Sequence, residues 1–113
     1  MKTFINSKEI DTDGSSYVGS INCTYQYLVN VFGKETIGLS GDLKSQCSWN
    51  LKFDDGTIAT IYDWKVNKKY CGVTGINKEN VTRWMVGGFN QKTIELITNK
   101  IKLKTLCQIL NLN

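Results

Sequence analysis

Tyr62, Trp64, Tyr70 and Trp84 are interspersed along the chain with Lys65, Lys68, Lys69 and Arg83. Flat aromatic faces stack nucleobases and cations neutralise phosphates, so this mixture suits capture of a phosphorylated nucleotide. Arg83 is the sole arginine. Its planar fork grips phosphate or carboxylate at two points, which an ammonium cannot do. Gly87-Gly88 stands between a β-prone run and a helical one. Glycines there permit close backbone approach, and the helix start offers unpaired N–H groups to an anion. The fuller patterns GxxxxGK[ST] and GxGxxG are missing, and a Gly-Gly reversal also serves plain chain turning. The candidate ligand contacts are therefore Trp64, Lys65, Lys68, Lys69, Tyr70, Arg83, Gly87 and Gly88. Trp49, Tyr62 and Trp84 also read as core, because a small domain must bury its largest side chains. That leaves Trp64 and Tyr70 as the freer pair.

Catalysis has weaker footing. The chain contains no histidine, which removes the usual general base near neutral pH. Its four cysteines, Cys23, Cys47, Cys71 and Cys107, lack the close CxxC pairing of structural zinc sites and read as reduced, buried thiols. Asp54 and Asp55 belong to turn chemistry, and Asp63 is expected on a solvated sheet face. The expectation is a protein without catalytic residues, metal ligands or cofactor, and not an enzyme.

Length and charge narrow the classes further. At 113 residues and 41% hydrophobic content, the chain suits one globular domain over residues 1–113, with 107–113 as a loose tail. No apolar run reaches the ~20 residues that a membrane-spanning helix needs, so an intracellular, membrane-free protein is expected. The net charge is +4, and residues 65–83 hold five basic residues against one acidic, so they carry the whole imbalance. Such a stretch suits an anionic partner or forms a solvated lysine-rich connection. The modest total argues against strong non-specific affinity for nucleic acid.

The elements that must position these residues follow from periodicity. CSWNLKFDDGTIATIYDW, from Cys47 to Trp64, reads as a β-hairpin with strands near 46–53 and 57–64 around Asp55-Gly56. A two-residue primed turn there pairs Asp54 with Thr57. It then places Phe53 opposite Ile58, Leu51 opposite Thr60, Trp49 opposite Tyr62 and Cys47 opposite Trp64. Thr24 can cap a helix over 25–32, with Gly33 as its stop, and Asn90 can cap a second over 90–104. Two short strands fit residues 1–22, loops fit 34–44 and 66–80, and 81–86 is β-prone. The fold class is α+β: a small antiparallel sheet built on the central hairpin, with both helices on one face.

The pattern W-x3-F-x-DGT-x-ATIYDWK, followed by T-x-W-x-VGG at Thr82 to Gly88, resembles a family of small phage and DNA-virus proteins over about residues 17–97. The resemblance implies a viral accessory protein in the host cytoplasm that acts by binding. It would antagonise host defence by sequestering a nucleotide-derived immune signal, such as a cyclic oligonucleotide or cyclic ADP-ribose product. The alternatives are a protein-interaction module that inhibits a host enzyme, or a nucleic-acid-binding protein. A homo-oligomer is expected if the site forms between subunits.

Overall fold

A computed structural model describes residues 3–110. Five strands, β1 (Phe4–Asn6), β2 (Ser16–Asn22), β3 (Ser48–Phe53), β4 (Ile58–Tyr62) and β5 (Arg83–Gly88), form one sheet in the order β1-β3-β4-β5-β2. All neighbours are antiparallel. Helix α1 (Tyr25–Phe32), the single turn α2 (Lys68–Cys71) and the long α3 (Lys92–Ile109) complete the α+β fold.

Helix α1 begins where Thr24 Oγ1 accepts the Tyr27 N–H at 3.1 Å. It ends at Gly33, whose φ of 91° is open to glycine at little cost. Its apolar stripe buries Leu28 and Phe32. Two indoles then fasten both ends of α1 to the sheet. Trp84 Nε1–H donates to the Cys23 carbonyl at 3.0 Å, just before the helix, and Trp49 Nε1–H donates to the Gly33 carbonyl at 2.8 Å, just after it. The rings meet edge to face at 5.4 Å and are fully buried, so each buries a large apolar surface and also satisfies its one polar atom.

Helix α3 lies on the same face. Ile94 packs over Gly19 of β2, and Thr93 packs over Gly88 of β5. Ile97 continues this stripe into the core. Asn90 Oδ1 accepts the Lys92 N–H at 2.9 Å, and α3 runs from Lys92 to Ile109. Residues 107–109, expected in a loose tail, are therefore helical, while 111–113 lie outside the described residues. The 66–80 segment, expected as loop, contains α2 and two short 3-10 turns.

The hairpin departs from the expected register by one residue. Phe53 N–H donates to the Thr57 carbonyl at 2.8 Å, and Gly56 N–H donates to the Phe53 carbonyl at 2.9 Å. The connection is thus three residues, Asp54 to Gly56, with Gly56 alone at positive φ (90°), whereas a primed two-residue turn of this type needs Asp55 there as well. The observed pairs are Lys52 with Ile58, Leu51 with Ala59, Asn50 with Thr60, Trp49 with Ile61 and Ser48 with Tyr62. A one-residue slip inverts every side chain of the second strand. Ala59, Ile61 and Asp63 therefore face the core, while Ile58, Thr60 and Tyr62 face away from the helices.

A Cβ added at Gly88 would sit 2.7 Å from Thr93 Cβ, and the helix backbone behind that atom cannot swing aside. Gly88→Ala should lower stability by about 2–3 kcal/mol through overpacking, read from urea unfolding midpoints. At Gly38 nothing lies within 4 Å of an added Cβ. Gly38→Ala should therefore change stability by less than about 0.5 kcal/mol.

Candidate functional site

Asp63 is fully buried, contrary to its expected place on a solvated face. Its Oδ1 accepts three hydrogen bonds from the segment before β3: Ser45 Oγ–H at 3.0 Å, Gln46 N–H at 2.9 Å and Cys47 N–H at 3.2 Å. Charge-assisted bonds of this kind are stronger than neutral ones, so one carboxylate clamps the loop entering β3 to the chain leaving β4. Its Oδ2 is buried with no hydrogen-bond partner among the described residues. Asn67, also buried, continues the clamp by donating from Nδ2 to the Leu43 carbonyl at 2.8 Å and capping α2 through Oδ1.

These contacts bring residues 43–44 against residues 64–65. Lys65 N–H donates to the Lys44 carbonyl at 2.7 Å. The Lys44 and Lys65 ammonium groups stand 5.6 and 5.4 Å from the centroid of Trp64. Tyr62 meets the same indole edge-on at 6.0 Å. Trp64 is 43% exposed, in contrast to the sealed Trp49 and Trp84. Leu43 and Lys65 are the non-glycine residues at positive φ among those described, at 65° and 59°. Such backbone costs of order 1–3 kcal/mol each and concentrates at functional positions. Here Lys65 directly follows Trp64, and Leu43 directly precedes Lys44, whose ammonium approaches the indole.

The structure divides the sequence-predicted contacts into groups. Trp64 and Lys65 come together, and alternation along β5, in which Trp84 and Val86 are buried, puts Arg83 and Met85 on the sheet face that also carries Tyr62. Gly87 lies on that face beneath Tyr62, whose Cε1 would be 3.6 Å from an added Cβ. Gly88 points the opposite way and is closed off by Thr93, so the Gly-Gly pair does not act as one phosphate cradle. Lys68, Lys69 and Tyr70 are exposed on α2, which folds back on Lys65 through Cys71 Sγ–H donating to the Lys65 carbonyl at 2.9 Å. A helix of one turn provides no N-terminal anion site. Sequence reasoning missed Lys44, because its approach to Trp64 depends on contacts across the 44–65 gap. It also passed over Tyr17, which lies opposite Gly87 on β2.

A second polar cluster joins α1 to the turn before β5. Glu35 accepts from Tyr25 Oη–H at 2.6 Å and pairs with Lys78 Nζ at 2.6 Å, with only 6% of the Glu35 side chain exposed. Burial opposes the charged carboxylate, but the Lys78 and Tyr25 hydrogen bonds prevail and hold Glu35 below its ordinary range. The same pairing raises Lys78, chiefly through the Glu35 hydrogen bond. Burial lifts the Cys23 thiol to about 11 and the Cys47 thiol higher still, so neither is a reactive thiolate near neutral pH. Among the described residues no group of three or more His, Cys, Asp or Glu side chains could hold a metal ion. No described helix is long and apolar enough to cross a membrane.

Two clefts of about 260 and 280 Å³ lie beside the hairpin tip, near Phe89 and Thr93, and along β1, near Phe4 and Lys52. Neither of these two includes Trp64. The chain matches no protein-family model, no curated protein and no solved structure.

Asp63→Ala would strand the Gln46 and Cys47 N–H donors, while the Ser45 hydroxyl can turn to the Cys47 carbonyl 3.0 Å away, and should cost about 2–4 kcal/mol in urea unfolding, whereas Asp63→Asn, which keeps an acceptor, should cost less. Glu35 supplies a separate pH test. Its lowered folded value makes its contribution complete above the unfolded value near 4.5, and that contribution disappears as pH falls through the folded value. The stability gap between wild type and Glu35→Gln should therefore be widest above about pH 5 and should narrow towards pH 3.

Proposed function

We propose that this chain is a non-enzymatic binding protein that captures a phosphorylated nucleobase ligand on the surface around Trp64. The observation carrying this reading is one half-exposed indole with two ammonium groups beside its ring, in a chain whose other indoles are sealed. A base stacking on Trp64 would displace a flexible lysine from the ring, leaving that ammonium free to meet the ligand's phosphate. Arg83, on the same face, would add a bidentate contact. Backbone strain at Leu43 and Lys65 further supports a functional role for this junction. The wider role, a viral accessory protein in the host cytoplasm that opposes host defence by withholding a nucleotide-derived signal, draws on the sequence resemblance.

A protein-interaction role is the second reading. It is favoured by Val73, which is 98% exposed at the turn after α2, with Tyr70 and Ile76 also exposed nearby in the chain. Exposed apolar anchors of this kind serve protein interfaces.

Because Trp49 and Trp84 are buried, ligand binding should quench tryptophan fluorescence mainly through Trp64. Titration with a panel of cyclic dinucleotides, cyclic ADP-ribose and adenosine phosphates should give saturable quenching with at least one member. Trp64→Ala should weaken that ligand roughly 5- to 100-fold in calorimetry, the usual contribution of one stacked base. A folded protein that binds none of the panel, but forms a stoichiometric complex with a host protein dependent on Val73, would replace this reading with the second.

A further inference from the structure

Residues 66–76, between β4 and β5, form a loop closed at its neck. Ile76 N–H donates to the Val66 carbonyl at 2.7 Å, and the buried Asn67 anchors the neck. A Cβ added at Gly75 would lie 2.5 Å from the Asn67 carbonyl carbon, so only glycine lets the two legs of the loop touch. Beyond the neck, Gly75 N–H donates to the Gly72 carbonyl at 3.0 Å and Thr74 Oγ1–H to the Cys71 carbonyl at 3.2 Å. The Cys71 thiol reaches back to the Lys65 carbonyl at 2.9 Å. The loop is thus a compact surface loop whose ends meet, held by its own hydrogen bonds. A segment ordered in advance loses little conformational freedom when it docks.

The side chains this loop shows to solvent combine apolar bulk with positive charge. Val73, in the 3-10 turn Gly72–Thr74, is 98% exposed, and Tyr70 on α2 and Trp64 just before the neck are exposed as well. Lys68 and Lys69 are exposed on α2, and the Lys65 ammonium lies beside the Trp64 ring. Residues 64–78 contain no carboxylate. The 40–44 turn, joined to the loop where Asn67 Nδ2–H meets the Leu43 carbonyl, adds Asp42 and Lys44, whose charges cancel.

We propose that the 66–76 loop docks this protein on an anionic lipid surface, with Val73 entering the acyl boundary, Tyr70 and Trp64 resting at headgroup depth and Lys65, Lys68 and Lys69 meeting lipid phosphates. Tyrosine and tryptophan favour that depth because each ring has an apolar body and one polar group. A lysine is a point charge on a flexible stem and suits diffuse negative charge, whereas a site shaped for one phosphate or carboxylate favours the arginine fork, and this loop has no arginine. Each lysine near an anionic leaflet strengthens partitioning about fivefold. The second reading above gives Val73 a protein partner, which would need an acidic pocket shaped to one braced loop; a bilayer supplies the negative charge and deforms around the tip. Such docking requires no spanning helix, and the described residues contain none. It also stands apart from the Trp64 ligand reading, in which Val73 has no part.

The test is co-sedimentation with vesicles of phosphatidylcholine alone and of phosphatidylcholine and phosphatidylserine in equal parts. The proteins are wild type, Val73→Asp, Val73→Leu and the double variant Lys68→Gln with Lys69→Gln, each first checked for native circular dichroism. Wild type should partition onto the mixed vesicles at least about tenfold more strongly than onto phosphatidylcholine. Its tryptophan emission should shift to the blue as it binds, through Trp64, because Trp49 and Trp84 are sealed. Val73→Asp should weaken partitioning roughly tenfold or more, and Val73→Leu, with one more methylene to bury, should strengthen it by up to about fourfold. The double lysine variant should weaken it roughly 25-fold. No partitioning, or equal partitioning onto both vesicles, would overturn the proposal. So would a folded Val73→Asp protein that sediments like wild type, since the contact would then be mere attraction of a basic chain to a negative surface. A Val73-dependent complex with an acidic protein, without vesicle binding, would overturn it too and return the loop to the protein reading. Val73→Asp should leave nucleotide quenching at Trp64 unchanged, so failure on vesicles and failure of the nucleotide panel are told apart.

Discussion

The Asp63 carboxylate ties the segment entering β3 to the chain leaving β4. One oxygen receives donors from Ser45, Gln46 and Cys47, and the residue that supplies it immediately follows β4. Burying such a charge carries a desolvation cost of several kcal/mol, offset here by three hydrogen bonds to the ionised group. Because those bonds converge on one atom, the approach of Lys44 to Trp64 and the exit of the chain from the sheet are set together. Lys65 and Asn67 extend the coupling by bonding to the carbonyls of Lys44 and Leu43. The exposed indole is therefore carried on a braced junction rather than a free loop.

The same economy governs the covered face. Trp49 and Trp84 bury against each other, and their indole N–H groups take carbonyls at the two ends of α1, so the hydrophobic contact and the polar accounting coincide. Gly19 and Gly88 lower the sheet surface where α3 crosses it. With both helices seated on this side, the other side keeps Tyr62, Tyr17 and Gly87 without a helical cover.

Glu35, Lys78 and Tyr25 perform a quieter structural task. Their cluster ties α1 and the loop after it to the turn before β5, and Lys78 also lies 5.0 Å over the Tyr25 ring. Lys78 is thus occupied internally, although it belongs to the basic stretch that stands out in the sequence. Position along the chain overstated the number of cations available to a ligand, and spatial partners divide them: Lys78 to Glu35, Lys44 and Lys65 to Trp64, and Lys68 and Lys69 to the exposed turn of α2.

Much of the architecture was legible because it depends on local rules. The Thr24 cap, the Gly33 stop and the 3-to-4 spacing of apolar residues define α1, and alternation with turn residues defines the hairpin. The α+β class and the common side of the helices follow from the same patterns. The hairpin register was not legible, since Asp-Gly fits both a two-residue turn and the last two positions of a three-residue one. Only the closure of Phe53 on Thr57 selects between them. That single residue of slip moved Tyr62 to the face opposite the helices and Asp63 into the core, and it reversed the reading of both. The sequence by itself thus determined which segments are helical or extended, because those preferences act within a few residues. The composition of the surface around Trp64 was decided by tertiary structure alone, because Lys44 reaches Trp64 only through a buried carboxylate and backbone bonds that join distant stretches of chain.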